Sequence, residues 1–92
     1  MPRLRHVEFE LYTSAFCGPC RRTRGVLAEA GRLIPDATLT EFDVVRFQER
    51  AQRAGIRSTP TVVVLDDDGE EVFRAEGAPS LAQVLVAAAK AV

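Results

Sequence analysis

Cys17 and Cys20 are the only cysteines in this chain of 92 residues, and Gly18 and Pro19 alone stand between them. Two thiols at that spacing can close on each other as a disulfide and open again, so the pair can release or take up two electrons. The attacking species in such exchange is a thiolate, and a free cysteine, with a pKa of about 8.5, is mostly protonated at neutral pH. The pair therefore needs a positive field. If a helix begins at Cys17, the unpaired N–H groups of its first turn and its dipole favour negative charge on that sulfur. Cys20, one turn further in, then stands where it can attack a mixed disulfide formed at Cys17 and release the reduced partner. Gly18 and Pro19 keep the turn compact, and a proline is tolerated in a first turn because its missing N–H costs nothing there. Arg21, Arg22 and Arg24 follow. As a solvated helix face they need no function, and as cations they add to the same field.

Other chemistries fit the residues less well. Half a zinc site has this Cys spacing, but four ligands are needed and His6 is the only histidine, so no metal is expected. An inert buried pair is a poor match, because Gly-Pro is poor core material. Asp66, Asp67 and Asp68 lack the spacing of a calcium loop and read as turn and surface acids. The net charge is −1. Residues 1–58 carry ten arginines against seven acids, and residues 59–92 carry two bases against six acids, which is +3 against −4 and too small to argue for nucleic acid. No apolar run approaches the roughly 20 residues of a membrane span. Met1 to Glu10 alternates charged and apolar residues without a stretch of signal-peptide length. A cytoplasmic location is therefore expected, where thiols stay reduced unless they cycle.

The elements that must position the pair can be read from periodicity. Val7, Phe9 and Leu11 alternate with Glu8, Glu10 and Tyr12, the pattern of a half-buried strand. Thr13 to Phe16 read as a loop, with Tyr12 a packing residue and His6 at the surface. A helix from about Cys17 shows Val26, Leu27, Ala30, Leu33 and Ile34 on one face and ends at Pro35; Gly25 weakens it by about 1 kcal/mol relative to Ala. Leu39 to Val45 read as a second strand, and Phe47, Ala51 and Ala54 mark a short helix closed by Gly55. Thr61 to Leu65 is a continuous β-branched run, as expected of a central strand covered on both faces. Asp67-Asp68-Gly69 turns the chain into a charged edge strand, Glu71 to Ala75. Ser80 and Gln83 have the spacing of a capping box, and Leu81, Val84, Leu85, Ala88 and Val92 line a last helix. The order is β-α-β-α-β-β-α. Two crossovers are expected to give parallel strands and the hairpin an antiparallel pair: one α/β domain over residues 1–92, a four-stranded mixed sheet flanked by three helices.

Three separated blocks resemble the thioredoxin family. Phe16-Cys17-Gly18-Pro19-Cys20-Arg21 is similar to the family's active-site motif, with Phe16 where Trp is usual. Gly55-Ile56-Arg57-Ser58-Thr59-Pro60-Thr61 resembles the segment whose proline is cis beside the active site, and Glu76-Gly77-Ala78-Pro79-Ser80 the Gly-containing loop before the last helix. The blocks frame nearly the whole chain and leave out only the extra N-terminal strand and helix of a full-length thioredoxin. The resemblance implies a minimal thioredoxin-like fold and a thiol–disulfide oxidoreductase with Cys17 as nucleophile and Cys20 as resolving cysteine. It implies substrate contacts at Phe16, Ser58, Thr59, cis-Pro60 and Gly77. The Thr59 backbone would face the cysteines and pair with an extended substrate segment. It further implies disulfide-containing proteins as substrates, an upstream donor such as a thioredoxin reductase, no bound cofactor and a monomer.

The chain departs from the family pattern at several points. Leu11 stands where a buried Asp is usual, and Lys90, the chain's only lysine, cannot serve as that acid's partner on the second strand. Glu10 is adjacent but points to the opposite face. Thr13, Arg22 and Gly25 replace Trp, an apolar residue and Pro. Two other readings stay open. One is a glutaredoxin-like protein that uses a low-molecular-weight thiol; the other is a binding module that presents Thr59-Pro60 and the arginine helix.

Overall fold

A computed structural model describes residues 6–92, so residues 1–5 of the expected domain, and half of the N-terminal stretch read above, lie outside the described residues. Seven elements follow in order: β1 (Val7–Thr13), α1 (Gly18–Leu33), β2 (Ala37–Asp43), α2 (Gln48–Arg53), β3 (Thr61–Leu65), β4 (Glu71–Glu76) and α3 (Leu81–Lys90). The four strands form one mixed sheet in the order β2-β1-β3-β4.

One expected crossover is corrected. β1 and β2 are parallel, but β3 runs antiparallel to β1, with Tyr12 opposite Thr61 and Glu8 opposite Leu65. The physical reason lies in the connection. A parallel β3 would have to begin at the Val7 end of β1, about 20 Å from where β2 finishes. The connection is long enough to make that crossing, but it is folded locally: α2 (Gln48–Arg53) spans only about 9 Å, and the Gly55 and Ile56 N–H groups bond back to the Gln52 and Ala51 carbonyls. The chain therefore returns from the end of the sheet at which it left, and β4 pairs antiparallel with β3 at the edge.

β1 is not half-buried, as its charge alternation suggested. It lies between two strands and is covered on both faces. On one side α1 and α3 close over Val7, Phe9, Leu11, Leu27, Val62, Val64 and Val84. On the other, α2 brings Ala51 against Tyr12 and Val63, with Phe42 stacked on Tyr12. Glu10 is therefore buried as well, with 4% of its surface exposed. Its carboxylate accepts from the Tyr12 hydroxyl and from the Arg50 guanidinium, and Arg50 also lies over the Phe42 ring.

The helix ends follow local rules. Pro35 closes α1 just beyond its cap at Ile34, and Ser80 with Gln83 forms the full capping box of α3. Two apolar positions differ from the expected faces. Leu33, the last residue of α1, and Val92, two residues beyond the end of α3, are exposed, whereas Thr23, Ala87 and Ala91 are buried. Among the described residues no helix is long and apolar enough to cross a membrane.

Candidate active site

β1 delivers the chain to the site at Thr13, and Ser14, Ala15 and Phe16 turn it into α1. Phe16 has φ +59° and is the only non-glycine residue with positive φ among the described residues. A left-handed backbone at a bulky residue costs about 1–2 kcal/mol, and here it leaves the Phe16 ring wholly exposed beside Cys17.

Cys17 is the N-cap of α1. Its backbone is extended, and its Sγ accepts the Cys20 backbone N–H at 3.2 Å. Sulfur thus occupies the place usually taken by a Ser or Asp oxygen, where an otherwise unpaired helical N–H points at it. Gly18 and Pro19 are the first two helical residues. Cys17 and Cys20 are joined in a disulfide with Cα atoms 5.2 Å apart, inside the range that a disulfide spans. The two sulfurs differ in access: Cys17 is half-exposed, whereas Cys20 is 1% exposed. An incoming group can reach Cys17, and only an internal one can reach Cys20. Thr23 is buried one turn below and donates to the Pro19 carbonyl at 2.9 Å.

Leu11 is part of the core beneath α1, so that face of β1 carries no carboxylate. Its parallel register partner on β2 is Glu41. That carboxylate accepts from the Thr13 hydroxyl at 3.2 Å and takes two hydrogen bonds from Arg24, both 2.7 Å. The Arg24 hydrogen bonds hold the Glu41 carboxyl below its usual range. Arg24 is therefore matched by Glu41, and its charge is not free to act on the cysteines as the sequence suggested. Arg21 and Arg22 are exposed, and neither has an ion-pair partner among the described residues.

The antiparallel direction of β3 places residues 58–60 at the end of the sheet where β1 runs into the Cys17 loop. The Thr59–Pro60 peptide bond is cis, and Pro60 is buried. Ser14 Oγ and Thr59 Oγ1 share a hydrogen bond of 2.7 Å, and the Thr61 hydroxyl donates to the Ser58 carbonyl at 2.7 Å. The Gly77 N–H donates to the Pro60 carbonyl at 2.9 Å, with Gly77 at φ +104°. Phe16, Cys17, Gly18 and Cys20 line one groove, Ser58 and Thr59 line a second, and Ser14 lies in both. Gly77 joins the site through Pro60. Ser14 and Thr23 were missed in the sequence. Ser14 carried a weak signal, a hydroxyl in the three-residue turn before the motif. Among the described residues no group of three or more His, Cys, Asp or Glu is placed to hold a metal.

Residues 7–91 match the family model described as Thioredoxin. A thioredoxin of Methanocaldococcus jannaschii is 34% identical over 62 residues, covering 66% of this chain and 73% of that protein. A thioredoxin H-type of Oryza sativa subsp. indica is 33% identical over 59 residues, covering 64% of this chain and 48% of that one. The chain spans about half the length of several curated relatives it matches. Among solved structures, a mutant thioredoxin from Halobacterium salinarum NRC-1 superposes with a TM-score of 0.83 at 26% identity, covering 92% of this chain and 74% of that one.

Proposed function

The chain belongs to the thioredoxin family, and from that premise we propose that it is a thiol–disulfide oxidoreductase that reduces protein disulfides. The observation that carries this reading is the unequal pair: a half-buried Cys17, its sulfur capped by a helical N–H, bonded to a fully buried Cys20.

The cycle follows from that inequality. In the dithiol form the Cys17 thiolate attacks one sulfur of a substrate disulfide. The other substrate sulfur leaves as a thiolate and takes up a proton. Cys20 then loses its proton and attacks the Cys17 sulfur, closing the Cys17–Cys20 disulfide and releasing the second substrate thiol. Two electrons pass to the substrate, and an upstream reductase must return them. Cys17 is the nucleophile and Cys20 the resolving cysteine. Phe16, Ser58, Thr59, Pro60 and Gly77 form the surface against which the substrate segment lies, with Gly18 and Pro19 setting the spacing of the pair. The same reading carries a single domain over residues 1–92, a monomer, a cytoplasmic location and a thioredoxin reductase as donor.

The roles are tested with an oxidised protein substrate and the Cys17→Ser and Cys20→Ser proteins. The Cys20→Ser protein should accumulate a mixed disulfide and the Cys17→Ser protein should not; if both do, or neither, the roles are wrong. The donor is tested by offering the oxidised protein NADPH with a thioredoxin reductase, or glutathione with its reductase. Reduction by glutathione alone would turn the reading toward a low-molecular-weight thiol.

A further inference from the structure

The groove beside the disulfide, about 720 Å³, is lined by Phe16, Cys17, Cys20, Arg21, Arg22 and Arg24 with no acidic residue in its wall. Of the acids on the elements framing the site, Glu41 and Glu76 are paired with arginines, and Asp43 lies outside the groove wall. Glu41 holds Arg24, Glu76 holds Arg57, and Asp43 accepts the backbone N–H groups of Val45 and Arg46. The first turn of α1 contains no acid. Two cations, Arg21 and Arg22, therefore stand unmatched at the positive end of a 16-residue helix, next to the one sulfur that an incoming group can reach.

We propose that this groove selects disulfides flanked by acidic residues: its occupant is a protein segment with Asp or Glu beside the cysteine under attack. The proposal rests on the disulfide-reductase reading above and names its substrate class. Continuity of the surface supports it, because the arginine groove and the Ser58–Thr59 groove meet at Ser14. A segment laid along Thr59 passes over Ser14 and Cys17 and carries its next residues onto Arg21 and Arg22. Exposed ion pairs contribute little each to affinity, but a one-signed groove raises encounter rates and orients the partner.

The test uses one disulfide peptide in three versions, in which the residues flanking the attacked cysteine are Glu, Gln or Lys. Rate constants for their reduction are compared between the parent protein and an Arg21→Gln/Arg22→Gln variant. The ratio of the Glu to the Gln peptide is read within each protein, so any change in the reactivity of Cys17 itself cancels. At low salt the parent should favour the Glu peptide by roughly fivefold and disfavour the Lys peptide to a similar degree. Both preferences should collapse toward one in the double variant and at about 1 M salt. A ratio unchanged by the double substitution overturns the proposal while leaving disulfide reduction intact. If the parent reduces none of the peptides, the disulfide-reductase reading falls, and the proposal with it.

Discussion

Ser14 Oγ lies 2.7 Å from Thr59 Oγ1, which ties the turn that enters α1 to the segment that enters β3 across 45 residues of chain. Both residues are half-buried, so the bond is partly shielded from water. Ser14→Ala should cost about 1 kcal/mol of stability and lower kcat/KM for a protein disulfide by about fivefold or less. Thermal unfolding and initial rates measure the two effects. A variant that matches the parent in both would remove the bridge from any positioning role.

Gly77 is a second tie to the same segment. Its φ of +104° is one that side chains rarely adopt, and open space surrounds the place where a Cβ would stand. Gly77→Ala should therefore lose about 1–3 kcal/mol through the backbone alone, which is about 4–8 °C of Tm for each kcal/mol in a domain of this size. Gly25→Ala is the opposite case. This glycine lies inside α1, also faces open space, and has no positive φ, so its replacement should gain about 0.5–1 kcal/mol. Equal shifts in Tm for the two variants would contradict the assignment of strain to residue 77.

Arg50 reaches from α2 to the buried Glu10 carboxylate, which the Tyr12 hydroxyl also contacts. Arg50→Ala leaves that carboxylate with one neutral donor. Because Arg50 is itself half-exposed, water moderates the loss, and the expected cost is about 1–3 kcal/mol. Adding Glu10→Gln should restore part of it, since the uncompensated charge is then gone. Denaturant unfolding of the two variants decides the matter; an additive double variant would mean that the pair does not couple.

Tyr12 is the chain's only tyrosine, and there is no tryptophan, so its ionisation can be followed by phenolate absorbance without interference. Burial raises its pKa above the ordinary value of about 10, the Glu10 charge and hydrogen bond raise it further, and Arg50 opposes them. The raised value means that the folded state holds the proton more tightly than the unfolded state. The contribution to stability is therefore complete below about pH 10 and is lost as the pH climbs through the raised folded value. Glu10→Gln should move the titration back toward the ordinary range without reaching it, because burial remains the larger cause. A folded protein whose phenol titrates at the ordinary value would refute this account.

Local chemistry made most of the fold and part of the site legible in the sequence. Pro19 could be tolerated only in a first turn, so α1 had to begin at the cysteines. Ser80 and Gln83 announced the start of α3, and the β-branched run Thr61–Leu65 announced an interior strand. Cys17 and Cys20 were visible as a pair because no other residue in the chain does their chemistry. What stayed hidden depended on distant partners. A continuous apolar run reads the same in either direction, so only the packed sheet decided that β3 runs against β1 and thereby brings Thr59 and Pro60 to the end where Cys17 stands. A glutamate in a strand signals solvent until an arginine 40 residues on is folded against it, as Arg50 is against Glu10. Likewise Arg21, Arg22 and Arg24 are equivalent on paper. Tertiary structure places Glu41 within reach of Arg24 alone, and so decides which of the three charges are neutralised and which are left facing the reactive sulfur. Sequence by itself determined the reactive pair and the helix that caps it, because both are short-range. Strand direction and charge matching were decided only by the fold, because each depends on what the chain brings back from far away.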